Sequence, residues 1–355
     1  VLTVPALLFC SAYASGVLKN VAPHSWHPIQ AAPVSETGLG APLGKRIFGV
    51  ALAGNALRKW YRGTRVHPEL LMSFQNWSGE PTPTSILTED RAVGIHAAMI
   101  TWEPWQPPPI GSLSTEQGRP QPGYRNRAIA AGKWDGYITK YAQAVAGFRG
   151  IRVYIRFAHE MNGNWYPWSH NPKAYVAAWR HIRQIFRQQG ATNAEFVWSG
   201  SWGEGPPDDA WRQNLMKYWP GRKYVDVIGT TMINFGGQHT HPVGVYKQRI
   251  KLLHHRLRRP VMLTEVNTEQ QGRIAWMQHL ASYAAHTSWL TGVVWSQAPS
   301  HGAKDMITGK LNWQIWQDKS PRARQAFREL AMDVVKPVNP PGLASPRARS
   351  RNQGA

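Results

Sequence analysis

Ile151-Arg152-Val153-Tyr154-Ile155-Arg156-Phe157-Ala158-His159 is a short run of β-branched, aromatic and apolar residues, the composition of a buried strand. Helical patterns bracket it. Upstream, Ile138, Tyr141, Val145 and Phe148 recur at i, i+3, i+7 and i+10. Downstream, Val176, Trp179, Ile182 and Phe186 mark a second helix. That helix starts at Asn171-Pro172, an N-cap followed by proline in the first helical position, and stops near Gly190. Helix, strand and helix in succession are the units of a parallel sheet. Working outward, strands are predicted at 47–53, 70–76, 96–102, 195–200, 225–233, 261–266 and 292–297. Ile250, Leu253 and Leu257, then Ile274, Met277 and Ala281, mark further helices. With 151–159 the strands number eight, which closes a (β/α)8 TIM barrel, an α/β fold in one catalytic domain over 46–332. The competing α/β fold is a doubly wound open sheet. The segment from Gly49 to Asn55 lacks the G-x-G-x-x-G phosphate loop that would favour it.

Composition narrows the functional classes. Hydrophobic residues make up 42% of the 355-residue chain, enough for a real core. A single cysteine, Cys10, excludes an intramolecular disulfide framework and a cysteine zinc site. No apolar run approaches the roughly 20 residues of a membrane-spanning helix. The 41 Lys+Arg against 20 Asp+Glu give a formal charge of +21, which favours polyanions or serves solubility. Arg180, Arg183 and Arg187 line one helix face, and Arg256, Arg258 and Arg259 cluster; a solvated face accounts for both without a specific nucleic-acid site. Eighteen tryptophans serve the core and suit a cleft that stacks sugar rings.

At the ends, residues 1–14 finish in Ala12-Tyr13-Ala14, like the later part of a secretory signal peptide, and imply a secreted or periplasmic protein. Residues 15–45 read as a linker or N-terminal arm, and 333–355 as a basic disordered tail.

In a (β/α)8 barrel the chemistry sits at the C-terminal ends of the strands. There the sequence places Gln75-Asn76-Trp77, Trp102-Glu103-Pro104-Trp105, His159 to Gly163, Ser199 to Trp202, Asn234-Phe235, Thr264-Glu265 and Trp295-Ser296-Gln297. Glu160 and Glu265 each end an apolar run, so rigid strands would carry both to the mouth. A glutamate walled by tryptophan has its charged form disfavoured and suits a proton donor; one held ionised by hydrogen bonds suits a nucleophile. Cleavage of a glycosidic bond needs such an unequal pair. Other chemistries fit less well. H-E-x-x-H would need histidine at Gly163, and neither a Walker loop nor Gly-x-Ser-x-Gly is present. His239-Thr240-His241 and His254-His255 read as surface or loop histidines rather than a metal site.

The stretch Arg156-Phe157-Ala158-His159-Glu160-Met161-Asn162-Gly163-Asn164-Trp165-Tyr166-Pro167-Trp168 resembles the fourth-strand signature of glycoside hydrolase family 26. That family contains mainly β-mannanases, with some β-1,3-xylanases and mixed-linkage β-glucanases. Ile129 to Asp135, Trp102-Glu103-Pro104 and Val293-Val294-Trp295 look like the family in the same order. The resemblance implies retaining double displacement, endo-action on a β-linked polysaccharide such as β-1,4-mannan or glucomannan, no cofactor or metal, and a monomer. It makes Glu160 the acid/base and Glu265 the nucleophile. It places His159, Trp165 and Trp295 around the sugar; Trp102, Glu103, Asn162 and Asn234 are further substrate-binding candidates at the strand ends, with Asn162 and Arg156 also supporting the site by hydrogen bonds. A β-glucanase, a transglycosylase acting on a bacterial exopolysaccharide and a non-catalytic glycan-binding barrel are the alternatives. One departure stands out. Retaining enzymes of this clan carry a tyrosine near the end of strand six, bonded to the nucleophile. Gly229 to Phe235 contains none, leaving Asn234 or a hydroxyl from elsewhere to substitute.

Overall fold

The computed structural model describes residues 46–336 apart from 53, 109–118, 202–213, 235–242 and 298–314. The segments read as signal peptide and arm, with Cys10, Trp202, Phe235, His239 and His241, lie outside the described residues. Eight parallel strands close into a barrel in chain order. They are β1 (Ile47–Ala51), β2 (Leu70–Asn76), β3 (Ala97–Glu103), β4 (Arg152–Phe157), β5 (Ala194–Gly200), β6 (Val227–Asn234), β7 (Val261–Thr268) and β8 (Leu290–Ser296). Each matches a predicted strand to within a few residues.

The described helices are α1 (Leu57–Thr64), α2 (Thr84–Ala92), α3 (Asn126–Ala130), α4 (Asp135–Gly147), α5 (Pro172–Gln188), α6 (Val243–Leu257), α7 (Arg273–Ala285) and α8 (Pro321–Val335). At the start of α5, the Asn171 side chain accepts from the Ala174 amide and Pro172 opens the first turn. The chain leaves that helix through Gly190 at φ +67°. The last helix corrects one boundary. α8 runs on through Val335 with Val334 fully buried, so 333–335 belong to the fold rather than to a tail.

Strand alternation divides the core in two. Leu70, Met72, Phe74, Met99, Tyr154, Val197, Met262 and Val294 fill the barrel lumen. The opposite faces, with Trp102, Phe157, Trp198 and Trp295, pack against the helices. Above the lumen layer the inward positions become polar: Thr101 and Glu103 on β3, Arg156 on β4, Ser199 on β5. These are buried polar groups, which must find partners at the mouth.

Candidate active site

Beyond Phe157 the β4 backbone leaves the sheet under strain. Ala158 and Glu160 both take left-handed conformations, at φ +45° and +53°, which non-glycine residues adopt only where surrounding contacts enforce them. The enforcing contacts are backbone bonds from Ala158 N to Trp102 O and from Glu160 N to Ser199 O. They hold Glu160 between the ends of β3 and β5.

Both oxygens of Glu160 then accept a hydrogen bond. The Trp165 indole donates to Oε2 at 3.0 Å, and the Thr231 hydroxyl donates to Oε1 at 3.0 Å. Gly163 makes the first of these possible, since a Cβ there would stand 2.5 Å from the Trp165 ring.

Glu265 reaches the lumen because β7 carries a bulge. Thr230 on β6 pairs with Leu263, but Thr231 pairs with Glu265, so Thr264 is the extra residue. Without it, Glu265 would be displaced by one residue toward the outward face that Leu263 shares. The carboxylate is 2% exposed. Its Oε2 accepts from Arg156 Nη1 at 2.9 Å, while the buried Oε1 has no hydrogen-bond partner among the described residues. Burial pushes this carboxyl up to about 7; the Arg156 charge and hydrogen bond oppose the rise and the Glu160 charge adds to it.

Arg156 connects the two acids. Its Nε donates to Ser199 Oγ at 3.1 Å, its Nη1 to Thr101 Oγ1 as well as to Glu265, and its Nη2 to Thr231 Oγ1 at 3.5 Å. Thr231 in turn donates to Glu160. A path of hydrogen bonds therefore runs from Glu265 through Arg156 and Thr231 to Glu160. Glu265 and Arg156 form its buried floor, and Thr231 and Glu160 its half-buried rim.

Sequence reasoning expects a nucleophile held ionised by hydrogen bonds, yet burial raises the Glu265 carboxyl. The Trp165 indole meets Glu160 with its N–H rather than its ring face, so it supplies a donor, and Glu160 keeps some contact with solvent. Glu265 has lost its water and kept one donor.

His159 is buried. Its Nε2 is hydrogen-bonded to the Tyr166 hydroxyl at 3.1 Å, its carbonyl accepts from the Trp168 indole, and Nδ1 lies 3.9 Å from Glu103. Burial, then the Arg156 charge, hold the imidazole well below its ordinary value, hence neutral. Glu103 is buried in turn and accepts from the Trp105 indole at 3.3 Å.

Three of the expected sugar contacts, Trp102, Trp295 and Asn234, need correction, and Asn162 takes the supporting role expected of it. Trp102 faces outward, its indole donating to Tyr137 and its ring packed on Tyr141 of α4. Trp295 also faces outward, against Phe327 of α8 at 5.0 Å. In each case it is the neighbour, Glu103 or Ser296, that period-two alternation turns inward. The side-chain amide of Asn162 is occupied by both backbone groups of Ser201, so it pins the chain leaving β5. The Asn234 amide donates to Thr268 and does not replace the missing tyrosine at Glu265 Oε1.

Thr231, Ser199, Thr101 and Thr264 are residues to which sequence reasoning assigns no role. Inward parity at strand ends is the only local signal that marks the first three. Elsewhere, His254 stacks on Trp289 at 4.5 Å and bonds Arg259 O, a packing role. Among the described residues no group of three His, Cys, Asp or Glu side chains is placed to hold a metal, and no helix is long and apolar enough to cross a membrane.

The chain is thus a (β/α)8 barrel that brings two glutamates to the C-terminal end of its lumen. The sequence profile of Glycosyl hydrolase family 26 matches residues 131–318, more than half of the chain, and the chain belongs to that family. It is 29% identical over 282 residues to Endoglucanase H of Acetivibrio thermocellus, covering 74% of this chain and 27% of that protein. It is 28% identical over 114 residues to Mannan endo-1,4-beta-mannosidase A and B of Caldalkalibacillus mannanilyticus, covering 29% and 21%. The chain thus spans about a quarter of the length of these curated relatives. Among solved structures it resembles a β-mannanase from Bacteroides ovatus (TM-score 0.53, 16% identity, 83% of this chain and 91% of that one). It also resembles the catalytic domain of an endo-β-1,4-mannanase from Bacillus sp. JAMB-750 (TM-score 0.56, 13% identity, 83% and 88%). At these identities the likeness is one of fold.

Proposed function

We propose that the chain is a retaining, endo-acting β-glycoside hydrolase that cleaves β-1,4-mannan or glucomannan. The observation that carries the reading is the asymmetric pair: Glu160 on the half-buried rim, Glu265 on the buried floor, joined through Arg156 and Thr231. Glu160 gives its proton to the glycosidic oxygen as the bond to the anomeric carbon breaks, and Glu265 attacks that carbon to form a glycosyl ester. Glu160, now ionised, takes a proton from an incoming water. The water oxygen bonds the anomeric carbon, and Glu265 leaves as carboxylate. Arg156 stabilises that carboxylate each time it is released. Neutral His159 and Trp165 border the sugar position beside Glu160. Polymeric substrate would be met outside the cell, which agrees with a secreted or periplasmic protein.

A second reading, endo-β-glucanase, is favoured by one observation: a curated relative that aligns with 74% of this chain bears the name Endoglucanase H. The choice is tested by digesting mannohexaose and mixed-linkage gluco-oligosaccharides and following the first-formed anomer by proton NMR. Initial release of the β-anomer from mannohexaose supports the proposal. Initial α-anomer contradicts retention, and turnover of the glucan alone moves the assignment to the second reading.

A further inference from the structure

Two arginine groups that stand far apart in sequence meet in the fold. The segments Arg222–Tyr224 and Arg258–Pro260 directly precede β6 and β7, so they lie at the barrel end opposite Glu160 and Glu265. The C-terminal half of α5 packs onto them. Arg180, Arg187 and Lys223 all approach the Tyr224 ring, at 5.2, 5.9 and 5.0 Å. Backbone carbonyls then fix the guanidinium groups: Arg180 Nε donates to Pro220 O at 2.8 Å, Arg187 Nη2 to Lys223 O at 2.6 Å and Arg259 Nε to Arg222 O at 3.2 Å.

The charge of this surface is not balanced. Arg183 is paired with Asp226 at 2.8 Å, but among the described residues no carboxylate pairs with Arg180, Arg187, Arg222, Lys223 or Arg259. Burial, and the charges of Arg187 and Arg259 against the pull of Asp226 and Glu195, push the Arg183 guanidinium below its ordinary value. Like charges gathered on one aromatic ring repel. They are held here by carbonyls and π-contacts that leave N–H groups on exposed side chains unused. Such a surface is preorganised for an extended anion whose groups replace the missing counter-charges.

We propose that this surface binds a carboxylate-bearing polysaccharide, anchoring the protein on an acidic glycan while the opposite end of the barrel stays open to its substrate. The choice of a glycan among polyanions rests on the reading of the chain as a polysaccharide hydrolase. Two observations support it. Arg180, Arg187 and Lys223 already approach the Tyr224 ring and compete with a nucleobase for it. The exposed large hydrophobics among the described residues, Leu252 and Met332, belong to none of the three segments, so no apolar anchor for a lipid surface lies within the patch.

The test is retention of the full chain on immobilised alginate at pH 7, beside the Arg180→Gln/Arg187→Gln/Arg222→Gln/Lys223→Gln variant. Wild-type affinity is expected to fall roughly tenfold or more between 50 and 300 mM NaCl. The variant at 50 mM is expected to bind at least about tenfold more weakly. Its unfolding midpoint and its hydrolysis of neutral mannan should match the wild type. A variant that restores lysine at all four positions should regain most of the binding. Equal retention of wild type and glutamine variant would overturn the proposal, as would tighter patch-dependent binding to duplex DNA or to phosphatidylglycerol vesicles than to alginate. Because retention is read without turnover, a chain that binds alginate through these residues but cleaves nothing would refute the hydrolase reading and leave the binding site standing.

Discussion

On the proposed mechanism, lowering the pH should silence hydrolysis far earlier than an ordinary glutamate nucleophile would allow. Glu265 must be ionised to attack, and its carboxyl is pushed from 4.5 up to about 7 by burial, with a single donor from Arg156. The sign follows directly: protonation removes the nucleophile, so activity is present above the raised value and is lost as pH falls through it. At pH 5 about 1% of Glu265 would be ionised, against roughly three quarters for an unshifted carboxyl. The assay is kcat/KM on a soluble β-mannan between pH 4.5 and 8, where the acid limb of the free enzyme reports this group. The expected limb lies near 7. A second donor should move it. Ile233 occupies the inward parity of β6, two residues beyond Thr231, where a phenol could approach the unpartnered Oε1. A hydrogen bond to an ionised group stabilises it by about 1.5–3 kcal/mol, so Ile233→Tyr should lower the limb by roughly one to two pH units. A wild-type limb at or below 5 would refute the argument that the buried, half-partnered Glu265 is the attacking group.

Thr231→Val removes the donor on Glu160 Oε1 and the acceptor for Arg156 Nη2; kcat should fall about tenfold with KM little changed, and steady-state kinetics on mannohexaose would show it. Gly163→Ala forces the Trp165 ring away from its bond with Glu160; a loss of roughly tenfold or more in kcat/KM is expected, with an unchanged far-ultraviolet circular dichroism spectrum. Glu160→Ala should lower turnover of polymer by about 10²- to 10⁴-fold while sparing aryl glycosides with good leaving groups, and azide should restore part of the rate on those.

The barrel was legible because its evidence is periodic and repeated. Eight apolar runs, each bounded by turns and followed by a helical pattern or loop, leave few arrangements of the chain. The two glutamates were legible for the same reason, since strand ends in such a barrel converge. What failed was orientation. Trp102 and Trp295 stand at strand ends as a sugar-binding residue would, but each is one position out of phase with the lumen. The inward placement of Glu265 depends on the extra residue Thr264, and a bulge leaves no mark in composition. The raised carboxyl of Glu265 was hidden too. It depends on burial and on an empty hydrogen-bonding position at Oε1, neither of which is encoded by spacing.

Reducing-sugar release from β-1,4-mannan, glucomannan, mixed-linkage β-glucan, cellulose and β-1,3-xylan, with the Glu160→Gln/Glu265→Gln double variant as control, tests the central claim most directly. Release from mannan and glucomannan by the wild type alone is the expected result. Release that persists in the double variant, or none from any of the five polymers, would contradict it.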